Sequence, residues 1–386
     1  MNNPIKKVFI FCDYFYPAYK AGGPIKSISN LIRNFADRVD FYIITRANDL
    51  GDKRILPNII VNAFHKKNNY NIIYLRKSLI GQILFFLSLD ISKHDIFFFN
   101  SFFSLKYTII PILTIHFLRG FKNKTILAVR GEHSKAAKNI KKLKKKLYLL
   151  TANRLHLYRN VIFLASSISE KRDIHNTIKK HSGIVIIPPL IYNTPALHIN
   201  YMVKQRNNPI KLVFLSRIVP IKNLDFAIKV LNEVKFSFIF NIFGPVEDKK
   251  YFEKCFSLIN ENKIPYVKYC GIVDGEKVNE VFIEHDFLFL PTKSENFGHV
   301  IYEALSIGCP VIISDQTPWQ NLEEKKIGWD IPLNSPQKFI ETLEQAACMS
   351  QSEYQKLSSN SLKFARVYSE EQIKETNLIF SELFEI

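Results

Sequence analysis

Short apolar runs rich in Ile, Val and Phe recur along the chain, separated by longer stretches whose apolar positions return every three to four residues. A run buried on both faces suits a parallel strand, and the longer period suits an amphipathic helix packed over it. In the first half this pattern predicts strands at 7–12, 41–44, 72–75, 96–99, 125–129, 161–165 and 183–187, with helices between them. A stretch rich in Pro and Asn follows, from Pro188 to Pro209, and the alternation then restarts. It predicts strands at 211–215, 237–243, 267–270, 287–290 and 310–313, and helices at 224–234, 249–260, 276–282 and from about Gly298 to Ile307.

Alternation of this kind is the signature of an α/β chain with doubly wound parallel sheets. With 386 residues the chain exceeds what one core supports, so two Rossmann-like domains are expected. The boundaries read as 1–190 for an N-terminal Rossmann-like domain, 191–209 for a linker and 210–365 for a C-terminal one. Residues 366–386 read as a helix that packs back on the N-terminal domain. Ligands of open α/β sheets bind beyond the carboxyl ends of the strands, which places the expected site in a central cleft that the two domains face. The apolar stretch 96–118 is interrupted by Asn100, Lys106 and Pro111, so it reads as strand, turn and helix rather than a membrane span.

Charge changes this picture in one respect. The net +18 is carried by the first half, where residues 1–190 hold 32 Lys+Arg against 10 Asp+Glu, whereas residues 191–386 hold 21 against 25. Its densest part comprises Lys135, Lys138, Lys141, Lys142, Lys144, Lys145 and Lys146, followed by the apolar 147–150. Such a segment suits an anionic membrane or glycolipid surface, a plain solvated helix face, or phosphate tracking along a nucleic acid. No nucleic-acid motif accompanies it, so nucleic acid is not expected as a partner. The five cysteines are scattered, with no CxxC and no Cys/His cluster, which excludes a disulfide framework and a zinc site and fits a reducing cytoplasm. No secretory signal is read at the start, because the apolar run 8–12 is short and Asp13 follows it.

Three segments carry candidate chemistry. Glu295 and Glu303 are separated by seven residues across a strand-to-helix turn, with Phe297 and Gly298 between them. A helix opening near Gly298 would point its free N–H groups and positive dipole end at a diphosphate, while two carboxylates accept hydrogen bonds from hydroxyls. Arg217 and Lys222 project from the loop after the first strand of the second half, a planar fork and a compact charge suited to a pyrophosphate. Gly22 and Gly23, after the first strand, would let a loop close over phosphates before a helix starting near Pro24. Trp319 reads as a packed anchor for its loop.

In order and spacing these residues resemble family 4 of the glycosyltransferases, retaining enzymes of GT-B fold. The resemblance rests on the Glu295-to-Glu303 element, the Arg217 and Lys222 loop, the Gly244-Pro245 and Cys270-Gly271 turns, and the run from Gly308 to Ile312. It implies that residues 1–190 form the acceptor side and 210–365 bind the nucleotide-sugar, that Glu295 contacts the donor sugar, that Glu303 holds the ribose, that amides around Phe297 and Gly298 bind phosphate, and that Arg217 and Lys222 hold the diphosphate. The family often places a histidine after an N-terminal-domain strand, facing the transferred sugar. Here that region reads from Ala128 to Ser134, and Arg130, Glu132 and His133 are candidates, His133 favoured because imidazole donates a hydrogen bond. The loop Asn100 to Ser104 is a further candidate for the acceptor side.

The expected activity is therefore retaining transfer of a sugar from a nucleotide-sugar donor to a glycan or lipid-linked saccharide, in surface polysaccharide or lipopolysaccharide assembly. Without an Asp-x-Asp, no metal or other cofactor is expected. The expected location is cytoplasmic and peripheral, at the inner face of an anionic membrane. Competing readings are a related GT-B enzyme, an epimerase or phosphorylase, and a non-enzymatic basic module that binds membrane.

Overall fold

The computed structural model describes residues 6–118, 120, 122–130, 142–187, 190–191, 208–261 and 266–386. The chain divides into two compact units, 1–192 with 372–386, and 193–371. Residues 192–207 of the expected linker lie outside the described residues.

The first unit is built on an eight-stranded sheet. Its strands are β1 (Lys6–Phe11), β2 (Val39–Arg46), β3 (Phe64–Lys66), β4 (Asn71–Leu75), β5 (Ile96–Phe99), β6 (Thr125–Ala128), β7 (Val161–Ala165) and β8 (Gly183–Ile186). They lie in the order β3-β4-β2-β1-β5-β6-β7-β8, parallel throughout except for β3 against β4. Every predicted strand of this half is present, because runs such as Ile-Phe-Phe-Phe in β5 are buried on both faces. The edge strand β3 was not predicted, since Phe-His-Lys is short and two-thirds polar.

On one face Ile25, Ile28, Leu31 and Phe35 of α1 (Gly23–Phe35) cover Ile10 and Phe41, together with Phe380, Leu383 and Phe384 from the C-terminal segment. The other face is covered by α2 (Leu79–Ser88), a helical segment 105–118 that runs through π, α and π turns, α3 (Lys142–Arg154) and α4 (Ile168–Thr177). The stretch 96–118 is thus strand, turn and helix, and among the described residues no helix is long and apolar enough to cross a membrane.

The second unit holds a wholly parallel six-stranded sheet: β9 (Ile210–Leu215), β10 (Phe238–Phe243), β11 (Val267–Gly271), β12 (Phe287–Leu290), β13 (Val311–Ser314) and β14 (Gly328–Ile331). The order is β11-β10-β9-β12-β13-β14, so the winding reverses between β9 and β12. The crevice outside the carboxyl ends at such a switch point is where open α/β sheets bind ligands. Between its strands and after β14 run α5 (Leu224–Glu233), α6 (Lys249–Glu261), α7 (Val278–Glu284), α8 (His299–Ser306) and α9 (Pro336–Cys348).

The last helix, α10, runs unbroken from Gln351 to Phe384, and no Gly or Pro interrupts it. The expected division at 365/366 is therefore no break in the chain. Tyr354 and Ser358 bond the carbonyls of Asp286 and Gly308 in the second unit, and residues from Gln372 onward belong to the first. There Phe380 and Phe384 pack on Phe35, and Glu385 bonds Lys6 at 2.5 Å and Lys124 at 3.2 Å.

Candidate functional site

The loops that follow β9 and β12 lie at the switch point of the second sheet, and their local geometry is fixed by three features. Pro220 opens a 3-10 turn to Lys222, and Asn223 closes it in the left-handed region at φ 62°, a conformation that Asn tolerates. Asn223 donates to the Pro291 carbonyl at 3.0 Å. The carbonyl of Ile221 accepts from Lys293 N at 2.8 Å and from Thr292 Oγ1 at 3.1 Å, so the two loops are stitched along their length.

This stitching sets Lys222 against Glu295. The lysine is buried, and its ammonium donates to Glu295 Oε1. The two side chains retain 9% and 16% exposure, so each charge has lost most of its water and depends on the other. A second strut fixes the carboxylate's backbone, with Glu295 N donating to the Gln316 carbonyl at 3.0 Å.

Gly298 ends the loop at φ 78° and ψ 64°. The conformation favours glycine, and a Cβ there would also crowd side chains, standing 2.8 Å from Ile301 Cδ1 and 3.2 Å from Glu295 Cγ. The helix α8 that follows carries no side-chain cap, and the Gly298 carbonyl accepts from Ile301 N at 2.8 Å and Tyr302 N at 3.3 Å, so the helix opens at Gly298 itself. Phe297 is buried, its carbonyl accepting the Trp319 indole N–H and its ring 5.2 Å from the indole. Trp319 thus anchors this loop from behind. Glu303 is half-buried on α8. Burial raises the neighbouring Tyr302 phenol and the Glu303 charge adds to the shift, against a hydrogen bond from Ser369.

Arg217 stands apart from the Lys222–Glu295 pair. It is exposed, and its Nη1 donates to both oxygens of Glu247, at 2.9 and 3.2 Å. Glu247 was missed in the sequence, where it follows Gly244-Pro245 as one acid in a polar turn. Gly244 brings that turn close: at φ 140° its Cβ would lie 1.8 Å from the Ser216 carbonyl. Ser216 N bonds Phe243 O at 3.0 Å and Ile218 N bonds Pro245 O at 2.9 Å.

In the first unit Gly22 precedes α1 at φ 62°, and Gly23 is the first residue of that helix. Asn100 is buried after β5, which lies beside β1. It donates to the Pro24 carbonyl at 3.3 Å and accepts from Arg130 Nε at 2.8 Å. Its role is to tie the start of α1 to Arg130. Burial pulls the Arg130 guanidinium down to about 10, with the Glu170 charge acting the other way. Arg130, Ser166 and Glu170 line a concavity at the carboxyl ends of β6, β7 and β8. His133 and Glu132 lie outside the described residues, as do Lys135, Lys138 and Lys141. Among the described residues no group of three or more His, Cys, Asp or Glu is placed to hold a metal ion.

Residues 199–364 match the family described as Glycosyl transferases group 1. An uncharacterized 41.2 kDa protein in the cps region of Klebsiella pneumoniae is 27% identical over 236 residues, 55% of this chain and 62% of that protein. An uncharacterized glycosyltransferase of Methanocaldococcus jannaschii is 27% identical over 100 residues, 26% of this chain and 27% of its own. The chain therefore spans 62% and 27% of the length of these curated relatives.

Among solved structures, sucrose-phosphate synthase of Thermosynechococcus elongatus superposes with a TM-score of 0.72 at 14% identity, over 98% of this chain and 99% of that one. HepE of Anabaena, in complex with UDP and glucose, gives 0.70 at 14% over 99% and 100%. The pneumococcal O-GlcNAc transferase GtfA, in complex with UDP and GlcNAc, gives 0.68 at 12% over 100% of both. The fold is GT-B.

Proposed function

We propose that this chain, whose residues 199–364 match the glycosyl transferases group 1 family, moves a sugar from a nucleoside diphosphate donor to a saccharide acceptor in surface polysaccharide assembly. The observation that carries this reading is the Lys222–Glu295 pair beside the uncapped start of α8, at the switch point of the second sheet. The UDP complexes of HepE and GtfA and the cps-region relative support the donor class and the setting.

In this reading the positive dipole end of α8 and the backbone at Gly298 receive the diphosphate, as helix N-termini receive anions. The Lys222 ammonium has three donors, so it holds Glu295 and a phosphate oxygen together. Arg217, half in solvent, turns its fork toward the other phosphate. Glu295 accepts from donor-sugar hydroxyls and Glu303 from the ribose. Bond cleavage leaves negative charge on the β-phosphate, and these prearranged donors stabilise it. The acceptor hydroxyl attacks from the side of the departing phosphate, whose oxygen takes its proton, so configuration is retained and neither a carboxylate base nor a metal is needed. The acceptor is a glycan or lipid-linked saccharide, met by the cytoplasmic protein at an anionic membrane face.

Calorimetry of the purified protein against UDP, GDP and their common sugars tests this. Binding of one nucleotide below millimolar concentration is expected, weakened roughly 10- to 100-fold in Arg217→Ala, as for loss of a charge-assisted hydrogen bond. No binding to any nucleotide would overturn the reading. Turnover of the donor sugar without acceptor, to an epimer or a sugar phosphate, would replace transfer by isomerisation or phosphorolysis.

A further inference from the structure

Glu247 is an acid bonded to a cation that the transfer reading assigns to a diphosphate, and its charge alone would oppose that ligand. The turn that presents it is nonetheless fixed on both sides. Gly244, just after β10, donates its N–H to the Gly271 carbonyl at 2.8 Å and accepts at its own carbonyl from the Tyr269 hydroxyl at 2.9 Å, both partners belonging to β11. The Pro245 carbonyl accepts from Ile218 N at 2.9 Å, and Asp248 N donates to the Ile218 carbonyl at 3.3 Å. Ile218 and Val246 thereby form an isolated parallel bridge beyond the ends of β9 and β10. Asp248 then opens α6, its Oδ1 accepting from Tyr251 N at 3.0 Å. Glu247 stands between these two rungs, and Arg217 immediately precedes the bridged Ile218.

The contact itself is one-sided. Both carboxylate oxygens accept from a single nitrogen, Nη1 of Arg217, at 2.9 and 3.2 Å. Among the described residues, Nε and Nη2 make no hydrogen bond, so the edge of the guanidinium that carries them is left over. Two parallel N–H groups on such an edge are what a phosphate takes up. The arginine side chain is 44% exposed and the glutamate 25%, and water screens a pair this open, so the contact adds little to folding. What it supplies is restraint: a long side chain with several rotatable bonds is held in one place before any ligand arrives.

We infer that Glu247 is a positioning residue for the diphosphate of the donor: it aims the Arg217 fork with its Nε–Nη2 edge free, and so lowers the cost of ordering that side chain on binding. The inference rests on the reading of Arg217 as a diphosphate ligand. Orientation and repulsion act in opposite directions, and they respond differently to salt. Repulsion between Glu247 and a diphosphate acts between partly solvated charges and shrinks as ions screen it, over roughly 8 Å at physiological ionic strength. Orientation is set by hydrogen bonds at contact distance and is screened far less. At that ionic strength orientation prevails, and its worth is about 3- to 10-fold in affinity, the cost of immobilising one rotamer-rich side chain.

The test measures UDP and GDP binding to the full chain at about 0.15 M salt, by calorimetry and, for weak complexes, by ligand-observed NMR. The wild type is compared with Glu247→Gln and Glu247→Ala, each also made in an Arg217→Ala background. Both substitutions remove the charge, but glutamine keeps an accepting oxygen for Nη1 and alanine keeps none. For the nucleotide that the wild type binds, the alanine variant should bind about 3- to 10-fold more weakly than the glutamine variant. That difference should vanish in the Arg217→Ala background. Thermal melts check that each variant is folded. Equal binding by the glutamine and alanine variants would overturn the inference, because charge alone would then account for Glu247. A difference that persists without the arginine would overturn it too, since the turn would then act by its structure and not through Arg217. Failure of the transfer reading looks different: the wild type itself would bind neither nucleotide, and this inference would fall with it.

Discussion

Removing Glu295 as alanine would strand the Lys222 ammonium, whose side chain is 9% exposed, beside a gap where its carboxylate stood. Breaking a fully buried pair costs about 3–5 kcal/mol, and the residual exposure of both groups lowers the expectation here to about 2–3 kcal/mol. Lys222→Met should cost about the same, since it leaves the Glu295 carboxylate uncompensated. Replacing both, as Lys222→Met with Glu295→Leu, removes both desolvation penalties and should cost at most about 1 kcal/mol. The coupling between the sites should therefore exceed about 2 kcal/mol.

Urea unfolding followed by tryptophan emission measures this cleanly, because Trp319 and Trp329, the two tryptophans of the chain, both lie in the second unit. The same double variant should lose sugar transfer by about a hundredfold or more, roughly 2.7 kcal/mol of transition-state stabilisation. A stable but inactive double variant would mean that the pair is kept for chemistry and not for folding. Additivity within about 0.5 kcal/mol would refute the argument, because it would mean that water already solvates both charges.

Two further outcomes follow from packing and charge. Gly244→Ala places a Cβ 1.8 Å from the Ser216 carbonyl, a backbone clash that no rotamer relieves, so the variant should melt well below the wild type and lose the Arg217–Glu247 contact; an unchanged melt would contradict the geometry. Glu385 is held below its ordinary value chiefly by the hydrogen bond from Lys6, with Lys124 adding to it. A carboxylate depressed on folding contributes stability above its unfolded pKa and loses it as pH falls through the folded one. Hydrogen exchange of residues 372–386 should accordingly quicken on acidification through and below the ordinary glutamate range. Glu385→Gln should start less protected near neutrality and show a flatter profile, and parallel profiles would argue against the clip.

How far the fold was legible depended on which side chains the core uses. β5 and β12 read directly, because Ile-Phe-Phe-Phe and Phe-Leu-Phe-Leu have no reason to exist except burial on both faces. β14 did not, since Gly-Trp-Asp-Ile opens on a glycine and resembles a turn. That glycine is there because a Cβ at Gly328 would stand 2.1 Å from the Val311 carbonyl of the neighbouring strand. The first half of α10 was hidden for a different reason. Its buried positions include Ser358 and Ser361, which bond the carbonyls of Gly308 and Ile327, so the helical period carries hydroxyls where hydrophobic residues are sought.

The site was legible as residue types and illegible as a balance of charge. Arg217, Lys222, Glu295 and Glu303 stood out one by one, but the contact between Lys222 and Glu295 spans 73 positions and follows from β9 lying beside β12. Glu247 was invisible because nothing in a polar turn marks one acid as the partner of a distant arginine. Once these partners are counted, Arg217 and Lys222 are matched by Glu247 and Glu295, and Lys293 of the same loop is offset by Glu303, nearby in sequence. Excess positive charge therefore cannot be what draws a diphosphate to this loop cluster. In the proposed reading, recognition must come from direction instead: the dipole of α8 aimed one way, a glycine that lets backbone approach, and a lysine whose spare donors are held in place by Glu295.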